Sequence, residues 1–313
     1  IDQTPLGYAL FAHCFTCGKD LKSARQISRA LAQQGVAVVR FDSTGLGESE
    51  GDFADTNFSS NLGDLLAAAE FMRQTYQAPA LLVGHSLGGV AVLAVAAQIP
   101  ECKAVATIAA PSSAEHLGEI LRREAPRVAS TGEETVEIGG RRFLIKKQLL
   151  EDLDKVHLDE AIANLGRPLV VFHSPADEVV DIDNARRIFE RAKHPKSFIS
   201  LDRANHLLSR AADAEFVACA LAAWARRYVT DHPPKPIETV EHGPVVVHGS
   251  DSLAQDIVMG PHHLTADEPL AVGGQDSGPA PYDLLLAALG ACTSMTLRLY
   301  ADRKKWPLTS VAV

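Results

Sequence analysis

No stretch of this chain approaches the ~20 consecutive apolar residues that a membrane span needs, and no charged-then-apolar leader pattern is present. Basic residues are also in short supply. Lys and Arg total 30 against 39 Asp and Glu, for a net charge of −9. The shortage holds on both sides of His232, with 25 basic against 30 acidic residues before it and 5 against 9 from there on. Neither half therefore has the basic surplus of a nucleic-acid binder. Five cysteines (14, 17, 102, 219 and 292) in 313 residues do not suggest a disulfide framework and fit a reducing compartment. His13 and His262-His263 belong to no recognisable set of metal ligands. These absences lead to the expectation of a cytoplasmic protein with no metal, no organic cofactor, and neither membrane nor nucleic acid as partner. What is present is ample apolar material, 46% of the residues, in a length that suits two domains.

The most informative stretch is Ala80–Val90. A short apolar run, Ala80–Val83, meets Gly84-His-Ser86-Leu-Gly88, and an Ala/Val/Leu-rich helical segment follows at once. That is the strand–turn–helix setting of a Gly-x-Ser-x-Gly nucleophile elbow. The turn is too tight for flanking Cβ atoms, and the strained serine is pushed out at the carboxyl edge of a sheet. The competing account, a glycine-rich helix start with Ser86 as N-cap, leaves glycines on both sides of the serine unexplained.

A serine hydroxyl needs a base to attack at neutral pH, and the base needs an orienting carboxylate. In elbow-type hydrolases the order along the chain is Ser, Asp/Glu, His. Pro168–His173 reads as a buried parallel strand emptying into Ser174-Pro-Ala-Asp177, which makes Asp177 the natural acid, with Glu178, Asp181 and Asp183 as rivals. After a helical stretch, Asp183–Lys193, the segment Ser197–Leu201 reads as a further strand, and the loop behind it holds His206. The first oxyanion donor would be the amide of Leu87, next to the nucleophile. The second should come from the loop after an earlier strand, and His13-Cys-Phe15 follows such a strand at Tyr8–Ala12.

With these motifs in order, Tyr8–Asp231 resembles an α/β hydrolase of the esterase/acyl-peptidase type. His13-Cys-Phe15 stands where that family usually has His-Gly-x, and Arg40-Phe-Asp-Ser-Thr-Gly-Leu-Gly-Glu-Ser49 matches its loop after the next strand. The resemblance implies a mostly parallel sheet with helices on both faces, a small cap over about 111–167, and Phe15 as the second oxyanion amide. Cys14 departs from the usual glycine. Within the cap segment, Ala114–Arg123 and Lys146–Asp154 have helical spacing around a hairpin expected at Gly139-Gly140.

Thr230-Asp-His-Pro-Pro-Lys-Pro236 cannot continue a helix and marks a linker, 232–237. Beyond it, Pro244–His248 and Ala254–Met259 read as an antiparallel pair, and a long helix is expected from Tyr282 to about Lys304. Leu285, Leu289, Cys292, Thr296 and Leu299 recur on it as one stripe expected to be buried. Gly273-Gly-x-Asp-x-Gly-Pro-x-Pro-Tyr-Asp, followed by Leu284-Leu-Leu-Ala-Ala-Leu-Gly-Ala-Cys292-Thr, resembles the OsmC family, relatives of the organic hydroperoxide resistance proteins. The resemblance implies a partial α+β domain over 238–313, a homodimer held through it, and Cys292 as candidate peroxidatic thiol, with Arg298 as candidate activating cation. Tyr282 replaces the family's carboxylate ten residues before the cysteine, and no cysteine follows Cys292. Both ends of the sequence are expected to be incomplete, with the resolving cysteine and the rest of that sheet lying outside it.

Cys14-Phe-Thr-Cys17, between a strand and the helical segment Leu21–Gln33, has thioredoxin-type spacing, but the hydrolase reading already accounts for that loop. The expected function is hydrolysis of short to medium acyl esters by Ser86, His206 and Asp177 through an acyl-enzyme. The alternatives are acyl-peptidase or thioesterase activity of the same residues, a Cys292-centred organic hydroperoxide reductase, and a catalytically silent dimeric scaffold.

Overall fold

A computed structural model describes residues 5–15, 17–138, 141–156, 158–229, 245–249, 251–260 and 262–313. The linker 232–237 and Gly139-Gly140 lie outside these described residues. The chain divides into two compact units after Pro233.

The first unit runs β1 (Gly7–Ala12), α1 (Lys22–Gln33), β2 (Val36–Arg40), α2 (Phe58–Thr75), β3 (Leu81–His85), α3 (Leu87–Val95) and β4 (Ala104–Ile108). An excursion follows, with α4 (Ala114–Glu124), α5 (Val128–Thr131), β5 (Glu133–Ile138), β6 (Arg141–Lys146), α6 (Lys147–Leu153) and α7 (Leu158–Ala163). The chain then returns through β7 (Leu169–His173), α8 (Asp183–Arg191), β8 (Lys196–Ser200) and α9 (Ala211–Val229). Six strands form one sheet in the order β2-β1-β3-β4-β7-β8, and every pairing is parallel.

Parallel strands buried on both faces read as continuous apolar runs whose alternate residues feed two separate cores. Leu10 and Ala12 of β1, Leu82 of β3, Val105 of β4 and Val171 of β7 join one core, with α2, α3 and α8. Ala9, Phe11, Leu81, Val83, Ala106 and Phe172 join the other, with α1 and α9. The α/β-hydrolase architecture expected from the motifs is the one observed.

The excursion spans the segment expected to form the cap. Its helices α4 and α6 fall at the expected positions, and β5 and β6 pair antiparallel from Glu133↔Lys146 to Ile138↔Arg141. Its buried side chains, among them Leu121, Phe143, Ile145 and Leu153, continue the core on the α2/α3 face. Asp152 of α6 accepts from the Ser59 amide (2.6 Å) and hydroxyl (2.8 Å), which fixes the cap to the start of α2.

The second unit holds β9 (Val246–Gly249), β10 (Gln255–Met259), β11 (His262–Ala266) and α10 (Pro281–Lys304). The expected β9/β10 pair forms in antiparallel register Gln255↔Gly249, and β11 adds a third strand on the other edge of β10. The stripe on α10 departs from expectation. Leu285 and Leu289 are each 64% exposed, Leu299 is 71% exposed, and Cys292 is also exposed. Periodicity shows that a face is built for burial, but three short strands supply no second apolar layer to cover it among the described residues. By length and composition alone, α10 is also the one described helix apolar enough to cross a membrane.

Candidate active site

Ser86 sits between β3 and α3 with φ 54° and ψ −120°, a left-handed conformation that costs a non-glycine residue on the order of 1–3 kcal/mol. Its neighbours must be glycine because other backbone occupies the space. A Cβ on Gly84 would lie 2.2 Å from the Gly88 carbonyl oxygen, and one on Gly88 would lie 2.2 Å from that of Ala12. The second approach brings the end of β1 against the elbow.

Asp177 follows β7 and His206 follows β8, so both lie at the carboxyl edge of the sheet, next to the elbow. His206 Nε2 is 2.9 Å from Ser86 Oγ, and His206 Nδ1 is 2.9 Å from Asp177 Oδ2. The other carboxylate oxygen, Oδ1, accepts from the amides of Val179 (2.9 Å) and Val180 (3.0 Å). Burial alone would push this carboxyl up. The bond from His206 and the two amides outweigh it and hold Asp177 below the ordinary aspartate range. The rival acids are elsewhere. Glu178 and Asp181 are exposed, and Asp183 is paired with Arg186 and Arg187.

Phe15 and Leu87 line one narrow cavity of about 30 Å³, together with His13, Cys14, Gly88 and Ala91. Leu87 is the first residue of α3, so its amide stands ahead of the helical hydrogen-bond ladder. The Cys14 carbonyl accepts from His13 Nδ1–H (2.8 Å) and from the Cys17 amide (3.1 Å). In a trans peptide the N–H points opposite the C=O, so these two bonds turn the Phe15 amide the other way. His13 Nε2 in turn accepts from the Ser43 amide (3.2 Å), and Asp42 accepts from the Lys19 amide (2.6 Å) and ammonium (2.8 Å). The Arg40–Ser49 loop thus anchors the loop after β1 on both sides of the Phe15 amide.

Two supporting histidines were not assigned roles from the sequence. His85 donates from Nε2 to the His206 carbonyl (2.8 Å), and His173 donates from Nε2 to the Val180 carbonyl (2.8 Å). One steadies the backbone at His206 and the other steadies the turn that carries Asp177. Their positions, one residue before Ser86 and at the end of β7, were the available signals. Burial, aided by the nearby His206 ring, pushes His85 down to about 4, and burial likewise lowers His173. Both are therefore neutral when folded and protonate more readily when unfolded. Their stabilisation is complete above the ordinary histidine pKa of about 6.5 and declines as pH falls, for His85 down to its folded value near 4. The expected loss from His85 is on the order of 3 kcal/mol. It is measured as the fall in the urea unfolding midpoint from pH 7 to pH 4.5, which His85→Gln should flatten.

Cys14 and Cys17, the pair with thioredoxin-type spacing, form a disulfide, although five cysteines in this length suggest no disulfide framework and fit a reducing compartment. An argument from cysteine number speaks against a framework of bridges. It does not exclude one pair closed by a local turn. Arg298, the candidate cation for Cys292, instead donates to the carbonyls of Leu308 (2.9 Å) and Thr309 (3.5 Å).

A parallel sheet with a serine elbow, a histidine and an aspartate at its carboxyl edge defines the α/β-hydrolase class. The family described as serine aminopeptidase, S33, matches residues 17–133, and the family described as OsmC-like protein matches 274–313. The solved esterase domain of a Rhodothermus marinus protein is 52% identical, covering 73% of this chain and 90% of that one at a TM-score of 0.59. The mouse mitochondrial palmitoyl-protein thioesterase ABHD10 is 25% identical over 199 residues, covering 60% of this chain and 64% of its own length. Est1E of Butyrivibrio proteoclasticus, solved with ferulic acid, is 19% identical, covers 71% of this chain and 89% of its own, and shares the fold at a TM-score of 0.62. The chain belongs to the α/β-hydrolase family, with an OsmC-like segment at its C-terminal end.

Proposed function

We propose that this chain is a serine carboxylesterase acting on short acyl esters. The observation that carries the reading is the pair of 2.9 Å contacts linking Ser86, His206 and Asp177. Ser86 Oγ attacks the ester carbonyl carbon while its proton passes to His206 Nε2. Asp177 holds the Nδ1 proton and offsets the imidazolium charge. The carbonyl oxygen, now an oxyanion, is received by the amides of Leu87 and Phe15. The alcohol leaves with the proton from His206, and a water deprotonated by the same imidazole attacks the acyl-enzyme to release the acid.

A narrow cavity of about 30 Å³ beside the oxyanion amides, lined by Phe58, Leu65 and Ala91, favours acetyl- to butyryl-sized groups over a long chain such as palmitoyl. The test is a series of p-nitrophenyl esters from acetate to palmitate, with a butyryl thioester alongside. The expected result is a kcat/KM at least tenfold higher for acetate and butyrate than for decanoate and palmitate. Fluorophosphonate labelling of Ser86 should abolish all of it. Palmitate as the best substrate, or hydrolysis that survives labelling, overturns the reading.

The second unit extends the proposal to a homodimer. Leu285, Leu286, Leu289 and Leu299 on α10 are each more than 60% exposed, a face that a second copy would cover. Light scattering of the full chain should give twice the monomer mass, falling towards the monomer in Leu289→Lys. A monomeric wild type overturns it.

A further inference from the structure

The disulfide is a feature that hydrolysis at Ser86 does not require. Cys14 and Cys17, with Cα atoms 5.3 Å apart, bracket Phe15, whose amide the esterase reading assigns to the oxyanion. The loop is anchored before the bridge, where Ser43 donates to His13, and after it, where Lys19 donates to Asp42. Between those anchors, the bridge and the two bonds on the Cys14 carbonyl fix which way the Phe15 amide points. The bridge closes the same turn as the Cys17 amide to Cys14 carbonyl bond (3.1 Å). Anything that changes the Cys14–Cys17 separation therefore acts on the peptide that carries the donor. The Phe15 ring also packs edge-on against Phe53 (5.5 Å between centroids), which packs against Phe143 of the cap strand β6 (5.1 Å). A shift of Phe15 would thus be felt by the cap as well.

We propose that Cys14–Cys17 is a reversible dithiol/disulfide site whose redox state sets the hydrolytic rate at Ser86, with a dithiol, free or protein-borne, as its reductant. The proposal rests on the esterase reading above. Cys17 is half-buried and Cys14 is 3% exposed, so Cys17 Sγ is the sulfur open to attack. One thiolate of the reductant bonds to Cys17 Sγ as the protein S–S bond breaks, and Cys14 leaves as a thiolate and takes up a proton. The reductant's second thiolate then attacks its own sulfur in the mixed disulfide. It closes a disulfide and expels Cys17, which is protonated in turn. Two electrons and two protons pass from the dithiol to the protein. The remaining cysteines do not compete for this role. Burial pushes the Cys102 thiol up to about 11, and Cys219 and Cys292 are free, exposed single thiols.

Removing an oxyanion donor outright costs roughly 10²–10³ in kcat. Here the amide remains, still oriented by His13 and the anchors, so reduction is expected to lower kcat by about 5- to 50-fold, with KM changed less than about twofold. The full chain is first blocked at its free thiols with N-ethylmaleimide and reduced with dithiothreitol. It is then passed through gel filtration, since dithiothreitol itself cleaves p-nitrophenyl esters. One portion is labelled with iodoacetamide and mapped by mass spectrometry, a second is assayed on p-nitrophenyl butyrate, and a third is reoxidised with oxidised dithiothreitol and assayed again. The expected result is new label at Cys14 and Cys17 only, a fall in kcat, and recovery on reoxidation. Cys17→Ser should sit at the reduced rate and ignore dithiothreitol, and the wild-type cycle stands without that variant if it folds poorly. Equal kcat in both states, or no new label at Cys14 and Cys17, overturns the proposal. Fluorophosphonate labelling of Ser86 keeps the two readings apart. An enzyme that labels and turns over equally in both states refutes only the redox control, whereas one that does neither in either state refutes the esterase.

Discussion

Ser86→Ala is expected to lower kcat on p-nitrophenyl butyrate by about 10⁴- to 10⁶-fold while leaving the melting temperature near or above that of the wild type. The two halves of this result have separate causes. On the esterase reading, loss of Oγ removes the nucleophile, and what remains is water attack assisted by the Leu87 and Phe15 amides and by substrate binding. The fold is spared because Ser86 is only half-buried and its side chain bonds to His206 alone among the described contacts. The strained φ of 54° persists in the variant, since an alanine Cβ meets the same backbone limits as a serine Cβ. Residual activity within tenfold of the wild type would show that another group attacks the ester. A fall in melting temperature of more than about 5 °C would show instead that the 2.9 Å bond is structural.

The elements that carry the site could be read in the chain because each has a local signature. β3 is an apolar run, α3 an Ala/Val/Leu stretch, and the tight turn between them announces itself through Gly84 and Gly88. Asp177 and His206 follow from their places just past β7 and β8, since parallel strands in one sheet present all their carboxyl ends to one edge. Several unread features depend on contacts that the local sequence does not announce. His85 meets the carbonyl of His206, 121 residues away, and nothing local to either hints at the pairing. β11 escapes notice because His262–Ala266 has little apolar alternation, and it forms by pairing with the free edge of β10. The stripe on α10 was visible, but periodicity does not say whether the covering surface lies within the same chain. In each case the residues fix what a segment needs, and tertiary or quaternary partners decide how the need is met.

Asp177→Asn tests the orienting role more sharply than deletion of the carboxylate, and its outcome follows from which oxygen is already engaged. Oδ1 accepts from the Val179 and Val180 amides, so in the variant that position must be held by the amide oxygen, because an NH₂ group there would face two N–H donors. The NH₂ is left facing His206 Nδ1, where Oδ2 stood 2.9 Å away. A donor at that place forces the histidine into the tautomer protonated on Nε2, and Nε2–H then points at Ser86 Oγ. An imidazole in that state cannot take the serine proton, although every heavy atom is close to its original position. The expected loss in kcat is about 10³- to 10⁴-fold, with KM nearly unchanged and fluorophosphonate labelling slowed in proportion. The loss should shrink at high pH, where hydroxide can remove the Ser86 proton without help from the base. Asp177→Ala should cost activity too, but by freeing the ring and the Val179 and Val180 amides together, so its melting temperature should fall where that of Asp177→Asn holds. Should Asp177→Asn retain more than a tenth of the wild-type kcat, His206 would be keeping its tautomer by other means, and the carboxylate would be serving the turn after β7 rather than the base.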